Sequence, residues 1–164
     1  MEILLRDAAE TDLPLLARMN RPLIEDEHSR NPMGLDELAA RMKRWMDEHW
    51  SVKLFVDAVT GAVVGYALYQ ERADEYFPDQ RNVYLRQMFV EREQRGGGIG
   101  QQALDRLVAD CFPPGCTVMI DVLDANPRGA KFWRKAGFVP QYTRMHLDLK
   151  LIQPNHESRV TDNG

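Results

Sequence analysis

The chain has 164 residues, 44% of them hydrophobic and 28% charged, with a net charge of −4 at pH 7, which suits one soluble domain with a sizeable core. The acidic balance argues against a nucleic-acid partner, because neutralising phosphates needs a concentrated basic face. The opening MEILLRDAAETD turns acidic too early for a signal peptide, and no apolar run nears the ~20 residues of a membrane span, so a cytoplasmic protein with no membrane partner is expected.

MEILLR reads as a short first strand, and Thr11 as the N-cap of a helix carrying Leu13, Leu16, Ala17 and Met19, with Pro14 in its first turn. NRPLIEDEHSRNPMG, with two prolines and a glycine, is expected to break that helix. Leu35, Leu38, Ala39, Met42, Trp45 and Met46 recur at helical spacing and predict a second helix. VKLFVDAVTGAVVGYALYQE reads as two strands joined at Thr60-Gly61, and NVYLRQMFV as a third. A helix with Ile99, Ala103, Leu104, Leu107, Val108 and Cys111 on one stripe then runs to Pro113-Pro114-Gly115.

CTVMIDVL reads as a strand buried on both faces. A short helix spans about Pro127 to Ala136 and stops at Gly137, a left-handed cap. YTRMHLDLKLI alternates and reads as a last strand. Residues 1–152 are expected to form one domain, and 153–164 a disordered tail. The order is thus β-α-α-β-β-β-α-β-α-β, a mixed α/β arrangement with helices on both faces of one sheet. Cys111 and Cys116 offer no disulfide framework and share no metal-ligand spacing with the four histidines, so reduced, structural cysteines and no metal are expected.

The segment VEREQRGGGIGQQALDRL carries the chemistry. A glycine-rich junction between strand and helix presents unpaired N–H groups at the positive end of a helix dipole, an anion site suited to phosphate. The P-loop pattern fails for want of Lys-Ser or Lys-Thr. The dinucleotide pattern is met only loosely by Gly98-Ile99-Gly100-Gln101-Gln102-Ala103.

A closer match lies elsewhere. Arg95, Gly98 and Gly100 fill [QR]-x-x-G-x-[GA], and downstream Asn126, Gly129, Phe132, Lys135, Gly137 and Phe138 fill a second motif in DANPRGAKFWRKAGF. Together they resemble the GNAT superfamily of N-acetyltransferases. The resemblance implies a mainly antiparallel α+β sheet of about six or seven strands with about four helices, and acetyl-CoA as cosubstrate. Backbone amides of Gly96, Gly97, Gly98, Ile99 and Gly100 would hold the pyrophosphate, and the main chain of Met88, Phe89 and Val90 the pantetheine arm. Asn126, Phe132 and Trp133 would lie beside that arm, with Arg95 as a counter-charge. The Val90 N–H would serve as oxyanion donor.

Acetyl transfer needs a neutral amine, hence a base. The resemblance implies that the segment between the first two helices walls the acceptor pocket. Glu25, Asp26 and His28 are therefore read as substrate-binding, and Glu27 and Glu71 as candidate bases. Trp133 stands where many relatives have an acidic tyrosine. An indole N–H only donates hydrogen bonds, so Tyr84, Tyr76 and Tyr142 are acid candidates by residue type. The acidic acceptor side suits a cationic amine on a small molecule or peptide. The competing reading is a non-catalytic acyl-CoA-binding or regulatory module, which a missing acid would suit. The last strand and the face of the first two helices could support a homodimer.

Overall fold

The computed structural model describes residues 1–151. Five strands form one sheet in the order β1-β2-β3-β4-β5: β1 (Ile3–Asp7), β2 (Ser51–Asp57), β3 (Val63–Ala73), β4 (Arg81–Val90) and β5 (Thr117–Met119). The first four run antiparallel, and β5 joins β4 in parallel. Helices α1 (Leu13–Asp26) and α2 (Leu35–Asp47) follow β1, while α3 (Ile99–Asp110) and α4 (Pro127–Lys135) flank β5. Strand alternation separates two cores. Ala67, Tyr69, Val83 and Leu85 face Ala103, Leu104 and Leu107 of α3. Tyr66, Leu68 and Phe89 face Leu16, Met19, Met42 and Trp45.

Where β3 crosses β4 the backbones run close together at Gly65. A methyl there would overlap the Phe89 carbonyl oxygen and come within 2.9 Å of the Phe55 ring. Gly65→Ala should cost about 3 kcal/mol, read as a fall in Tm of roughly 6–12 °C.

Several elements depart from the sequence reading. Thr11 sits in a 3-10 turn, Glu10–Asp12, and Asp12 rather than Thr11 precedes α1. The helix does not break at Pro22 but carries it through to Asp26. Burial of Leu23 and Ile24 beyond the proline offsets the hydrogen bond that its missing N–H forfeits. Val108 is exposed, and Cys111 is only half-buried at the helix end. β5 spans three residues with Thr117 and Met119 exposed, so it is not buried on both faces.

The described residues hold five strands, fewer than six or seven, because YTRMHLDLKLI does not pair through Leu151. Met145, Leu147, Leu149 and Leu151 stay exposed. Alternation makes a segment fit for a strand, but only an available edge of the right length makes it one. The expected tail, 153–164, lies outside the described residues. No helix among them is long and apolar enough to cross a membrane.

Candidate functional site

Two features of β4 shape the site. Pairing with β5 covers only Asn82 to Tyr84, so among the described residues the β4 edge from Leu85 to Val90 has no strand partner on that side. In the pairing with β3, Leu68 faces Gln87 and Tyr69 faces Leu85, which leaves Arg86 as the extra residue of a bulge. The bulge exchanges the two faces of the strand. Val83 and Leu85 pack toward α3, whereas Phe89 packs toward α1 and α2.

The glycine loop stands at the open end of that edge. Gly98 is the N-cap of α3 with φ +81°, and Gly96 has φ +89°, conformations that side chains with a Cβ rarely adopt. A Cβ placed at Gly96, Gly97 or Gly98 would meet nothing within 4 Å. The first helical bond is donated by Gln102 N–H to Gly98 O at 3.0 Å, which leaves the N–H groups of Ile99, Gly100 and Gln101 without helical partners. Bare backbone, open space and a helix N-terminus fit a pyrophosphate. At Gly100 the constraint is packing, because a Cβ would lie 3.1 Å from the Phe132 ring.

Val90 ends the unpaired edge. Glu91 N–H is donated to Val64 O at 2.8 Å. Neighbouring peptide groups of a strand point to opposite edges, so the Val90 N–H faces the open side. Its carbonyl accepts from Arg95 Nε at 2.8 Å. Met88 and Val90 pack against the α3-side core, together with Trp133 and Phe138. Phe132 and Trp133 meet edge to face at 4.9 Å. Asn126 caps α4, its Oδ1 accepting from Gly129 N–H at 2.9 Å.

Arg95 does not reach into the glycine loop. Its guanidinium pairs with Asp26 at 2.8 Å and lies over the Phe89 ring. Arg92 bridges to Asp26 at 2.8 Å and to Glu25 at 3.2 Å. These pairs clasp the end of α1 to the segment before the loop. Burial pushes the Asp26 carboxyl up, but hydrogen bonds from Arg92 and Arg95 outweigh it, and its pKa is lowered. The stability this contributes is present above the unfolded pKa near 3.9 and is lost as pH falls through the lower folded value. Asp26→Asn should cost about 1 kcal/mol at neutral pH. Denaturant midpoints of the two proteins should converge as pH falls below the ordinary carboxylate range.

On the α1–α2 side lies a cleft of roughly 220 Å³, lined among others by Glu27, Arg41, Tyr84, Arg86, Gln87, Asp121, Asn126 and Trp133. Of the acidic cluster only Glu27 lines it. Burial raises the Glu27 carboxyl above its ordinary range and the charge of Asp26 adds to this, while Arg41 opposes it. His28 closes the helix with φ +53° and is not among the lining residues. Glu71, exposed at the far part of β3, is not among them either. Tyr84 donates to Asp121 at 2.6 Å. Burial, then Asp121, push its phenol up to about 12. Tyr76 and Tyr142 are exposed and line no part of the cleft.

Arg41, Arg86 and Asp121 escaped the sequence reading. Arg41 follows the helical phase of Trp45 four residues on, a usable signal. The facing of Arg86 depends on a bulge that no local pattern announces.

The acetyltransferase (GNAT) family matches residues 20–138. Thialysine N-epsilon-acetyltransferase of Bos taurus is 27% identical over 143 residues, covering 82% of this chain and 83% of that protein. The L-methionine sulfoximine/L-methionine sulfone acetyltransferase of Pseudomonas aeruginosa is 29% identical over 170 aligned positions, covering 94% and 95%. The solved structure of a "predicted acetyltransferase with acetyl-CoA" from Clostridium acetobutylicum shares the fold. Its TM-score is 0.69 at 18% identity, over 93% of this chain and 99% of that one.

Proposed function

Because the chain belongs to the acetyltransferase (GNAT) family and is an enzyme of acetyl transfer to an amine, we propose that it moves acetyl from acetyl-CoA to a primary amine of a small molecule or peptide by direct attack in a ternary complex. One observation carries this reading: an open glycine cradle at the start of α3 continues along an unpaired β4 edge into a cleft holding a half-buried carboxyl.

Backbone N–H groups from Gly96 to Gly100 would hold the pyrophosphate, and main-chain groups of Met88, Phe89 and Val90 the pantetheine arm. Bound acetyl-CoA supplies a thioester as acyl donor. Glu27 takes the proton from the attacking nitrogen, directly or through water, and the rise of its pKa by burial makes it a stronger base than an exposed carboxylate. As the C–N bond forms and the C–S bond breaks, the Val90 N–H offers a hydrogen bond to the acyl oxygen. Tyr84, with a pKa near 12, holds its proton too firmly to protonate a thiolate readily and instead orients Asp121. The thiolate takes its proton from solvent. Trp133 walls the cleft.

Two of these relatives are named as acetyltransferases of thialysine and of L-methionine sulfoximine or sulfone, and their similarity spans most of both chains. That extent disfavours a non-catalytic binding module. Incubation with acetyl-CoA and a broad amine panel, followed by free thiol, should show release that depends on an acceptor. Tight coenzyme A binding with no release for any amine would overturn the proposal.

A further inference from the structure

The acceptor cleft is not simply acidic. Arg41 and Arg86 both line it, and both stack on the Trp45 ring, at 4.6 and 4.9 Å from its centroid. Among the described residues, neither has a carboxylate within ion-pair distance, although nine such pairs occur elsewhere in the chain. Arg41 Nη2 donates to Asn20 Oδ1 at 2.9 Å. Asn20 donates to Tyr66 Oη at 2.7 Å, and Tyr66 in turn to Gln87 Oε1 at 2.9 Å. Arg41 Nε is buried without a partner.

Two guanidiniums thus face one cavity, held by an aromatic ring and a buried polar chain, with no carboxylate within ion-pair distance among the described residues. Burial and then the neighbouring Arg86 lower the Arg41 pKa, and the opposing pull of Glu27 does not cancel them. Such an arrangement costs the fold stability and is relieved by an anion. The β4 bulge strengthens the point, since it presents Arg86 and Gln87, consecutive residues, to the same cleft. Glu27 and Asp121 supply negative charge at other points of the lining. The cleft is therefore dipolar.

We propose that the acceptor is a free amino acid or a close analogue, its carboxylate seated between Arg41 and Arg86 while its amine faces Glu27. This narrows the small-molecule or peptide amine expected from the sequence, and it presupposes acetyl transfer at the same cleft. A polyamine would set cation against cation, whereas planar guanidiniums match a carboxylate with paired hydrogen bonds.

The test compares each of the twenty common amino acids, and every acceptor from the thiol-release panel, with its carboxamide and its decarboxylated amine. The acid should exceed both in kcat/KM by at least about 100-fold, well inside the roughly 10⁴–10⁵-fold by which a site built for a polar group rejects the analogue lacking it. Arg86→Met and Arg41→Gln should each lower the acid by about 30-fold or more and leave the carboxamide within about threefold. A second readout needs no turnover. In the presence of coenzyme A, tryptophan emission should change saturably with N-acetyl-L-methionine but not with its carboxamide, and Arg86→Met should abolish the change.

Equal or better turnover of decarboxylated amines, or equal losses on acid and amide in the variants, would overturn the proposal while leaving acetyl transfer intact. So would emission that fails to distinguish the acid from the amide. Absence of turnover with every amine would overturn acetyl transfer itself.

Discussion

Glu27→Gln lowers kcat/KM for the acceptor by about 10²–10³-fold, the usual contribution of a positioned general base, while coenzyme A affinity stays within about twofold. The expectation rests on burial: Glu27 is the member of the acidic run that lines the cleft, and its pKa is raised chiefly by desolvation. In the parent enzyme the rate should fall as pH drops through that raised value, with a midpoint above the ordinary ~4.3 of glutamate. The variant should lose this limb but keep the one set by deprotonation of the acceptor amine.

Stability should move the other way. A carboxyl whose folded pKa is raised contributes stability that is fully present below its unfolded pKa and is lost as pH rises through the folded one. Neutral glutamine escapes that loss, so Tm at pH 8 should equal or exceed that of the parent. A parallel loss of activity and Tm would assign Glu27 a structural role, and unchanged kinetics would remove it as the base.

Valine at Gly97 or Gly98 should weaken coenzyme A binding by about 100-fold, or roughly 2.7 kcal/mol, and the two variants should part company in stability. Both sites open onto empty space, and a Cβ at either meets no neighbouring atom within 4 Å. Gly98, however, holds φ +81° at the N-cap of α3. A β-branched residue there costs about 1–3 kcal/mol of backbone strain, seen as a Tm lower by roughly 2–12 °C. Gly97 lies outside the left-handed region and should melt within about 2 °C of the parent, since an unstrained surface change stays within ±0.5 kcal/mol. Calorimetric titration with coenzyme A beside melting curves separates these effects. Parent-like affinity in Gly97→Val would place the diphosphate elsewhere.

Local chemistry explains which parts of the sequence could be read directly. Gly98 and Gly137, with φ +81° and +100°, mark helix boundaries through backbone preference alone. The hairpin at Thr60-Gly61 forms as expected, with Asp57 accepting from Val59 N–H and Thr60 Oγ1. Helical periodicity located α2 and α3 because one face of each must be buried.

Polar side chains obey no such rule, since their neighbours come from distant segments. Glu25, Asp26 and Glu27 are adjacent in sequence, yet Arg92 and Arg95 tie the first two to the loop side while the third enters the cleft. The chain by itself determined the glycine cradle, the helix boundaries at Gly98 and Gly137 and the family, all consequences of backbone conformation and short-range spacing. Tertiary structure alone decided which carboxyl is desolvated, and it turned Arg86 toward Arg41. Burial and bulge register arise only when strands pair and helices cover them.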